Sequence, residues 1–503
     1  MTPRHPALPP LLRAPLLLAA LLLPSACSSS GDTKEPSPTA AVPAYGYLSG
    51  SRLRAHLFDG GQGAKQFQGW RDTKLGVDCR FQQHADGSAR CLPTGSQIAF
   101  ADDACQKPVV LASSAAADPC QPSDAPAYFL FYPPSLACAY AGSAPFEESP
   151  ARVYRKGASL DAVTVHHLDQ AGSCTTDTSD PQAAFEAVEV EAAQLAGGTI
   201  HDEHLYDRIS AQVIHGDDGS RETLALADEA LGEPCLDWLA HHENSAYSNR
   251  CVTGRVVVGE TEYADASCQE PAPSQSGGEP FESCPPPQRS VSFGHPPCAE
   301  ELVTVFDFGA PVPAGTDYCG APGGTCAVCS TSSPPDPRRA VTVVPPSHFP
   351  VLRSALFGDG DLRVDQLVDG EKHPILTREV DLFQDAKRKT RCGPIHAGDT
   401  WRCASVTAPS IAGYRDAACT KPFFFDDSAS GCAPAPAPLP AVLYDSCYKA
   451  SALHAVTAGP PAGHAYVLQG TTCVAATFSG DMTAYDLGDD VTGTFPELKD
   501  VIE

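Results

Sequence analysis

Short runs of alternating apolar and polar residues, cut by glycine, proline and aspartate, set the rhythm of this chain. Three runs recur at wide, even intervals: Leu53-Arg-Ala-His-Leu-Phe58, Ile209-Ser-Ala-Gln-Val-Ile214 and Leu362-Arg-Val-Asp-Gln-Leu-Val368. Alternation with a period of two predicts a strand with one buried face, and turn residues follow each run at Asp59-Gly-Gly, Gly216-Asp-Asp-Gly and Asp369-Gly. Further strands are predicted at Tyr128-Phe-Leu-Phe-Tyr132, Asp161 to Leu168, Val291-Ser-Phe293, Val303 to Phe308, Val341-Thr-Val-Val344, Val442-Leu-Tyr444 and Val474 to Phe478. Gln182 to Leu195 and Glu222 to Leu231 have helical composition. Their counterparts, Met482 to Tyr485 and Lys65 to Trp70, look extended, so strands are expected there too. Long 3.6-period stripes are lacking, and an all-β protein is expected.

The runs belong to a threefold internal repeat. Phe100-Ala-Asp-Asp-Ala-Cys-Gln-Lys-Pro108 returns as Tyr263-Ala-Asp-Ala-Ser-Cys-Gln-Glu-Pro271 and as Tyr414-Arg-Asp-Ala-Ala-Cys-Thr-Lys-Pro422. Upstream, an apolar residue stands two before an aspartate, and a cysteine seven after it: Trp70/Asp72/Cys79, Leu226/Asp228/Cys235 and Phe383/Asp385/Cys392. An Arg-Cys pair follows at Arg90-Cys91, Arg250-Cys251 and Arg402-Cys403. The first cysteines stand 156 and 157 apart, which gives units of roughly 48–204, 205–356 and 357–503 within a repeat domain 48–503. Pro/Ser/Gly-rich connectors at 112–126, 270–289 and 431–440 divide each unit into halves. Halves of about four strands suggest six sheets around an axis, a six-bladed β-propeller. The alternative is three disulfide-stapled β-sandwich or barrel modules.

Cysteine usage adds the compartment. There are 21 cysteines, and setting Cys27 aside leaves an even number, as an exported, oxidised protein would have. They sort by unit into Cys79, Cys91, Cys105, Cys120, Cys138 and Cys174, then Cys235, Cys251, Cys268, Cys284, Cys298 and Cys319 with the extra Cys326 and Cys329, then Cys392, Cys403, Cys419, Cys432, Cys447 and Cys473. Spacing alone does not fix pairing; sequential local pairs are expected, such as Cys79 with Cys91 and Cys105 with Cys120. Cys326-Ala-Val-Cys329 lacks a second CxxC and a strand–helix setting, so a structural disulfide is expected over redox or metal chemistry.

The N-terminus carries Arg4 and Arg13, then the apolar run Ala14 to Leu23, too short to span a bilayer with ease, then small residues. Residues 1–26 are read as a signal peptide and 27–47, rich in Ser, Pro and Thr, as a disordered tether. Leu23-Pro-Ser-Ala-Cys27 resembles a bacterial lipobox, through Ser25, Ala26 and Cys27. The resemblance implies a mature chain starting at a lipid-bearing Cys27, membrane attachment through that lipid, and, with Ser28 next, the outer membrane. The formal charge of −27 argues against nucleic acid as a partner; plain solubility is its expected role, the alternative being attraction of cations or basic partners.

Candidate chemistry is sparse. Asp102, Asp265 and Asp416 are expected to cap Asx turns; the alternative is a cation shared on a threefold axis. Asp72, Asp228 and Asp385 are read the same way. Arg90, Arg250 and Arg402 are expected to pair with one of these aspartates, the alternative being a ligand carboxylate or sulfate. Histidines cluster at His166, His167, His201, His204, His215, His241 and His242, and His201-Asp-Glu-His204 invites comparison with metal sites, but exposed loop histidines are expected. Trp70, Trp238 and Trp401 are core candidates rather than sugar platforms. No nucleophile elbow, Walker loop or Rossmann fingerprint is present, and neither a metal nor a cofactor is expected.

The Asp-x-small-Cys unit and the Trp-x-Asp element make the chain resemble uncharacterised cysteine-rich repeat lipoproteins of myxobacteria, from about residue 48 onward. That resemblance implies no activity. The expected function is a surface-tethered module binding a polysaccharide, peptide or protein. The alternatives are an envelope hydrolase or lyase with an axial His/Asp site, or a purely structural surface protein.

Overall fold

The computed structural model describes residues 46–503 except 94–95, 112–127, 133–149, 169–171, 178–181, 237–244, 255, 261, 264–266, 268–270, 272–287, 295–301, 312–317, 320–326, 329–338, 376–382, 398–399, 405–412, 427–440, 445–449, 460–463, 470–471 and 478–482. The described residues are all-β, with short 3₁₀ turns. Both stretches of helical composition are extended: Gln182–Glu189 and Arg221–Asp228 are strands.

The first halves of the three units share one layer. In the first unit, β1 (Leu53–Asp59), β2 (Lys65–Asp72), β3 (Val77–Gln83) and β4 (Ala89–Pro93) form an antiparallel meander. The chain then builds its second half and returns as β5 (Gly197–Tyr206), which pairs with β4 on one side and with β6 (Ile209–Gly216) on the other. The second unit runs β6, β7 (Arg221–Asp228), β8 (Glu233–Pro234) and an irregular fourth segment bridged at Cys235–Thr253. Arg250 of that segment bridges Val351, just before β9 (Arg353–Phe357), and β9 pairs with β10 (Leu362–Val368). The third unit continues through β11 (Phe383–Asp385), β12 (Thr390–Ala397) and β13 (Thr400–Ala404) to β14 (Glu497–Ile502), which pairs with both β13 and β1. The circuit therefore closes, and each unit's return strand serves as the next unit's neighbour.

This sharing follows from residue pattern. Leu53, Ala55 and Leu57 point into the first unit's core with Trp70 and Phe81, whereas Phe58 packs with Leu362 and Phe383 of the third unit. Alternation continues unbroken through Leu57, so Phe58 faces the opposite side of β1, where the neighbouring unit covers it. The second unit repeats this: Ile209, Ala211 and Val213 fill its own core, and Ile214 enters the first unit's. In the third, Leu362 and Val364 stay home and Leu367 packs with the second unit.

The second halves form separate sheets with a common order. In the first unit the sequence of neighbours is Cys174–Thr176, His166–Leu168, Ala99–Phe100, Pro108–Leu111, Gln182–Glu189, Arg152–Val163 and Tyr128–Phe131. The third unit repeats it with Thr472–Thr477, His464–Gln469, Gly413–Tyr414, Pro422–Asp426, Thr483–Asp490, Ala450–Ala458 and Ala441–Tyr444. Propeller blades are separate sheets, so hydrogen bonding of β5, β9 and β14 across unit boundaries is not a six-blade arrangement. Disulfide-stapled β modules fit the pairings.

Five disulfides lie among the described residues. Cys79–Cys91, Cys235–Cys251 and Cys392–Cys403 close short loops inside the three cores. Cys105 pairs with Cys174, which corrects the expected bond to Cys120, and Cys419 pairs with Cys473 in the same way. The reason is sheet order: Cys174 sits on the edge strand beside the turn carrying Cys105, although 69 residues separate them in sequence. Cys27, Cys120, Cys138, Cys268, Cys284, Cys298, Cys326, Cys329, Cys432 and Cys447 lie outside the described residues.

Candidate functional site

The buried ionisable groups come first, because they decide what is left over for function. Asp72, Asp228 and Asp385 end β2, β7 and β11 and are buried. Each accepts backbone N–H groups from the following turn: Lys74 and Leu75, Ala230, and Lys387 and Arg388 respectively. Each also holds a guanidinium, from Arg52 at 2.6 Å, Arg208 at 2.5 Å and Arg388 at 2.6 Å. The same three guanidiniums donate to the carbonyls of Gln194, His348 and Thr494. Those residues end three equivalent 3₁₀ turns, Ala192–Gln194, Pro346–His348 and Thr492–Thr494. The result is a threefold staple tying the tip of one hairpin to the turn before each return strand.

Arg90, Arg250 and Arg402 do not pair with the aspartates among the described residues, which corrects that expectation. Arg250 and Arg402 donate to the carbonyls of Phe349 and Phe495, one residue past the 3₁₀ turns. Arg90 donates to Ser88, and its guanidinium lies so close to Gly197 that a Cβ there would meet it at 2.5 Å. The true partners, Arg52 and Arg208, went unread. Their signal was present: an arginine directly before the first strand, 20 residues ahead of the aspartate. The third unit hides it, with Asp361 at that position and the guanidinium supplied by Arg388.

Asp102 and Asp416 occupy Asx turns. Asp102 accepts the N–H groups of Gln106 and Lys107, and Asp416 those of Thr420 and Lys421. The Lys107 N–H holds the Asp102 carboxyl below its ordinary value, and the Thr420 hydroxyl does so for Asp416. Asp265 lies outside the described residues. Asp218, in the turn after β6, accepts the N–H groups of Arg52 at 2.8 Å and Leu53 at 2.6 Å, hooking the second unit onto the first. Trp70 is buried and donates to Glu222 at 2.6 Å, while Trp401 is half-buried against Phe58 and His396. Trp238, His241 and His242 lie outside the described residues.

A further group of ionisable side chains lies along β5, β6 and β7. Glu203 on β5 accepts from His215 of β6 at 2.9 Å and from Arg221 of β7 at 2.7 Å. Burial pushes the Glu203 carboxyl up, but hydrogen bonds from His215 and Arg221 outweigh it and hold the group below its ordinary value. His201 meets His215 edge to face, with centroids 5.0 Å apart. His204 pairs with Glu229 at 2.7 Å. At the other unit junction His56 contacts Asp500 at 2.5 Å and Asp78 at 3.6 Å. His166 is buried and bonds Thr176, a packing role. As they stand, no three His, Cys, Asp or Glu side chains among the described residues are set to hold a metal ion.

No helix among the described residues is long and apolar enough to cross a membrane. No curated protein and no solved structure matches the chain. A family model described as a family of unknown function (DUF7481) matches residues 39–492, and the chain, with its threefold stapled β framework, belongs to that family.

Proposed function

We propose that the protein is an exported, lipid-anchored component of the cell envelope that serves as a ligand- or partner-binding module. The observation that carries this reading is the division of labour among ionisable groups. The buried Asp72, Asp228 and Asp385 are committed to staples that hold the circuit together, while His201, His204 and His215 are exposed on the paired strands β5 and β6. Disulfides in both halves of the repeat suit an oxidising compartment outside the cytoplasm. The lipobox-like Leu23 to Cys27 supplies the anchor, in keeping with the resemblance to myxobacterial envelope lipoproteins.

Two experiments test it. Cys27→Ser should move the protein from the membrane to the soluble fraction of the exporting cell; retention in the membrane would overturn lipid anchoring. A thermal-shift screen of the full chain against envelope polysaccharide fragments and basic peptides should find a ligand that raises the melting midpoint by mass action. The same ligand consumed with turnover would instead establish the hydrolase or lyase reading. No shift with any saccharide or peptide would favour a structural role.

A further inference from the structure

We propose that the β11–β12 hairpin tip of the third unit, with Arg363 beside it on β10, binds an acidic polysaccharide through the carboxylate or sulfate groups of the sugar chain. This goes beyond the binding-module reading, which names no ligand charge and stands or falls separately.

Positive charge is concentrated here against the trend of the chain. Lys387, Arg388, Lys389 and Arg391 place four of the 34 basic residues within five positions of a chain whose formal charge is −27. Arg388 is committed to the buried Asp385. Lys387, Lys389 and Arg363 are exposed, and none of the three has an ion pair among the described residues. Strand register extends the site. Arg363 stands opposite Gln384, and Gln384 opposite Arg391. These three alternate with the buried Val364, Phe383 and Cys392, so their row lies on the face away from the core. Neighbouring strands lie about 4.8 Å apart, which sets the two arginine positions about 10 Å apart with an amide between them. Guanidiniums at both ends suit acidic groups along a sugar chain, and the amide suits a hydroxyl. Asp365, two residues along the same face, is one carboxylate against four cations.

The other units lack this arrangement. In the first, the row is Arg54, Arg71 and Asp78, with Arg71 paired to Asp78 at 3.3 Å; in the second it is Ser210, Ala227 and Pro234. The tips differ more. All three close by the same bond, from the N–H of Gly76, Gly232 or Lys389 to the carbonyl of Asp72, Asp228 or Asp385. That position is left-handed, with φ of 71°, 66° and 57° respectively. Glycine takes it freely, whereas a lysine there is strained. A cation held in strain, where two sister units have glycine, points to a ligand and not to the fold. The setting narrows the ligand class. β11 is paired on both sides and offers no free edge to an added peptide strand. The tip from Ala386 to Arg391 has no large apolar side chain to enter a bilayer.

Isothermal titration of the full chain with polygalacturonate oligomers, and in a second arm with heparin oligomers, tests the site. Saturable binding to at least one is expected, weakening steeply as salt rises. Binding of polygalacturonate assigns carboxylate recognition, and binding of heparin alone assigns sulfate. Lys387→Ser combined with Lys389→Gly should weaken binding at least tenfold, and Arg363→Gln severalfold. Lys389→Gly alone should weaken it severalfold while the melting midpoint holds or rises, because the change restores the residue of the sister units. Lys74→Ser, at the position of Lys387 in the first unit, should leave affinity unchanged. The proposal is overturned by absence of saturable binding to both oligomers, by full affinity in the Lys387/Lys389 double variant, or by equal loss in Lys74→Ser. Binding to phosphatidylglycerol vesicles and to neither oligomer would overturn it in favour of a membrane contact. Binding of neutral dextran and of neither acidic oligomer would overturn it and keep the binding-module reading.

Discussion

The first and third units solve the same problem with different residues. In the first, the buried Asp72 receives its guanidinium from Arg52, directly before β1. In the third, that position is Asp361, and Arg388 reaches Asp385 from three residues further along the hairpin tip. Both guanidiniums end on the carbonyl that closes a 3₁₀ turn. The fold therefore requires a cation at a point in space, not at a point in the chain. A second contrast lies in the first strand. Leu57 of the first unit and Val213 of the second fill an apolar position in their cores, where the third unit has the fully buried Gln366. Its Nε2 donates to the carbonyl of Lys65, and its Oε1 has no hydrogen-bond partner among the described residues.

The largest effect should come from the staples. Arg388→Leu leaves a buried carboxylate without its cation and should cost about 3–5 kcal/mol in chemical denaturation. Adding Asp361→Arg, which restores the first unit's arrangement, should recover most of that loss. If the double variant is no better than the single, the equivalence of the two guanidiniums is wrong.

Next come the long disulfides. Cys105–Cys174 and Cys419–Cys473 span 69 and 54 residues, and replacing either pair by serine should cost about 4 kcal/mol. Because loop entropy grows only logarithmically, the two losses should agree within about 0.5 kcal/mol. A wide gap, read from urea midpoints, would mean that the two turns are held by different forces.

A smaller effect, and one of opposite sign, is expected from Gln366→Leu. It removes an unsatisfied buried oxygen and restores the apolar position of the other units, so stability should rise by about 1 kcal/mol. A loss of stability would show that the bond to Lys65 anchors the third unit to the first.

The smallest effect concerns pH. Burial pushes the Asp218 carboxyl up, but the N–H groups of Leu53 and Arg52 and the Ser220 hydroxyl outweigh it and hold the group below its ordinary value. A depressed folded value means that the contribution is complete above about pH 4 and is lost as pH falls through the folded value. Asp218→Asn should flatten the acid limb of a stability–pH curve by less than about 1 kcal/mol, given its partial exposure. An unchanged limb would show that the hook between units does not rest on this charge.

Much of this organisation could be read from residue order. The apolar-x-Asp element marked Trp70, Leu226 and Phe383, all fully buried, and the aspartates that carry the staples. The strands at Leu53, Ile209 and Leu362 followed from alternation. What escaped reading was non-local. Cys105 finds Cys174 because a sheet folds back between them, and no spacing rule encodes that. The closed circuit depends on burial of both faces of the first strands, with Phe58 and Ile214 entering a neighbouring unit's core, and a reading of one buried face per strand passes over that second face. Arg388 was hidden because its role is defined by a position in space that two other units reach from elsewhere. The β5–β7 strip was half-visible: His201 to His204 stood out, but their partners His215, Arg221 and Glu229 lie one and two strands away.

The closure of β14 onto β1 also sets a timetable. Residues 497–502 are made after everything else in the circuit, yet they supply the strand between the third unit and the first. Until they emerge, β1 and β13 each present a bare row of backbone donors and acceptors, the template on which chains stick to one another.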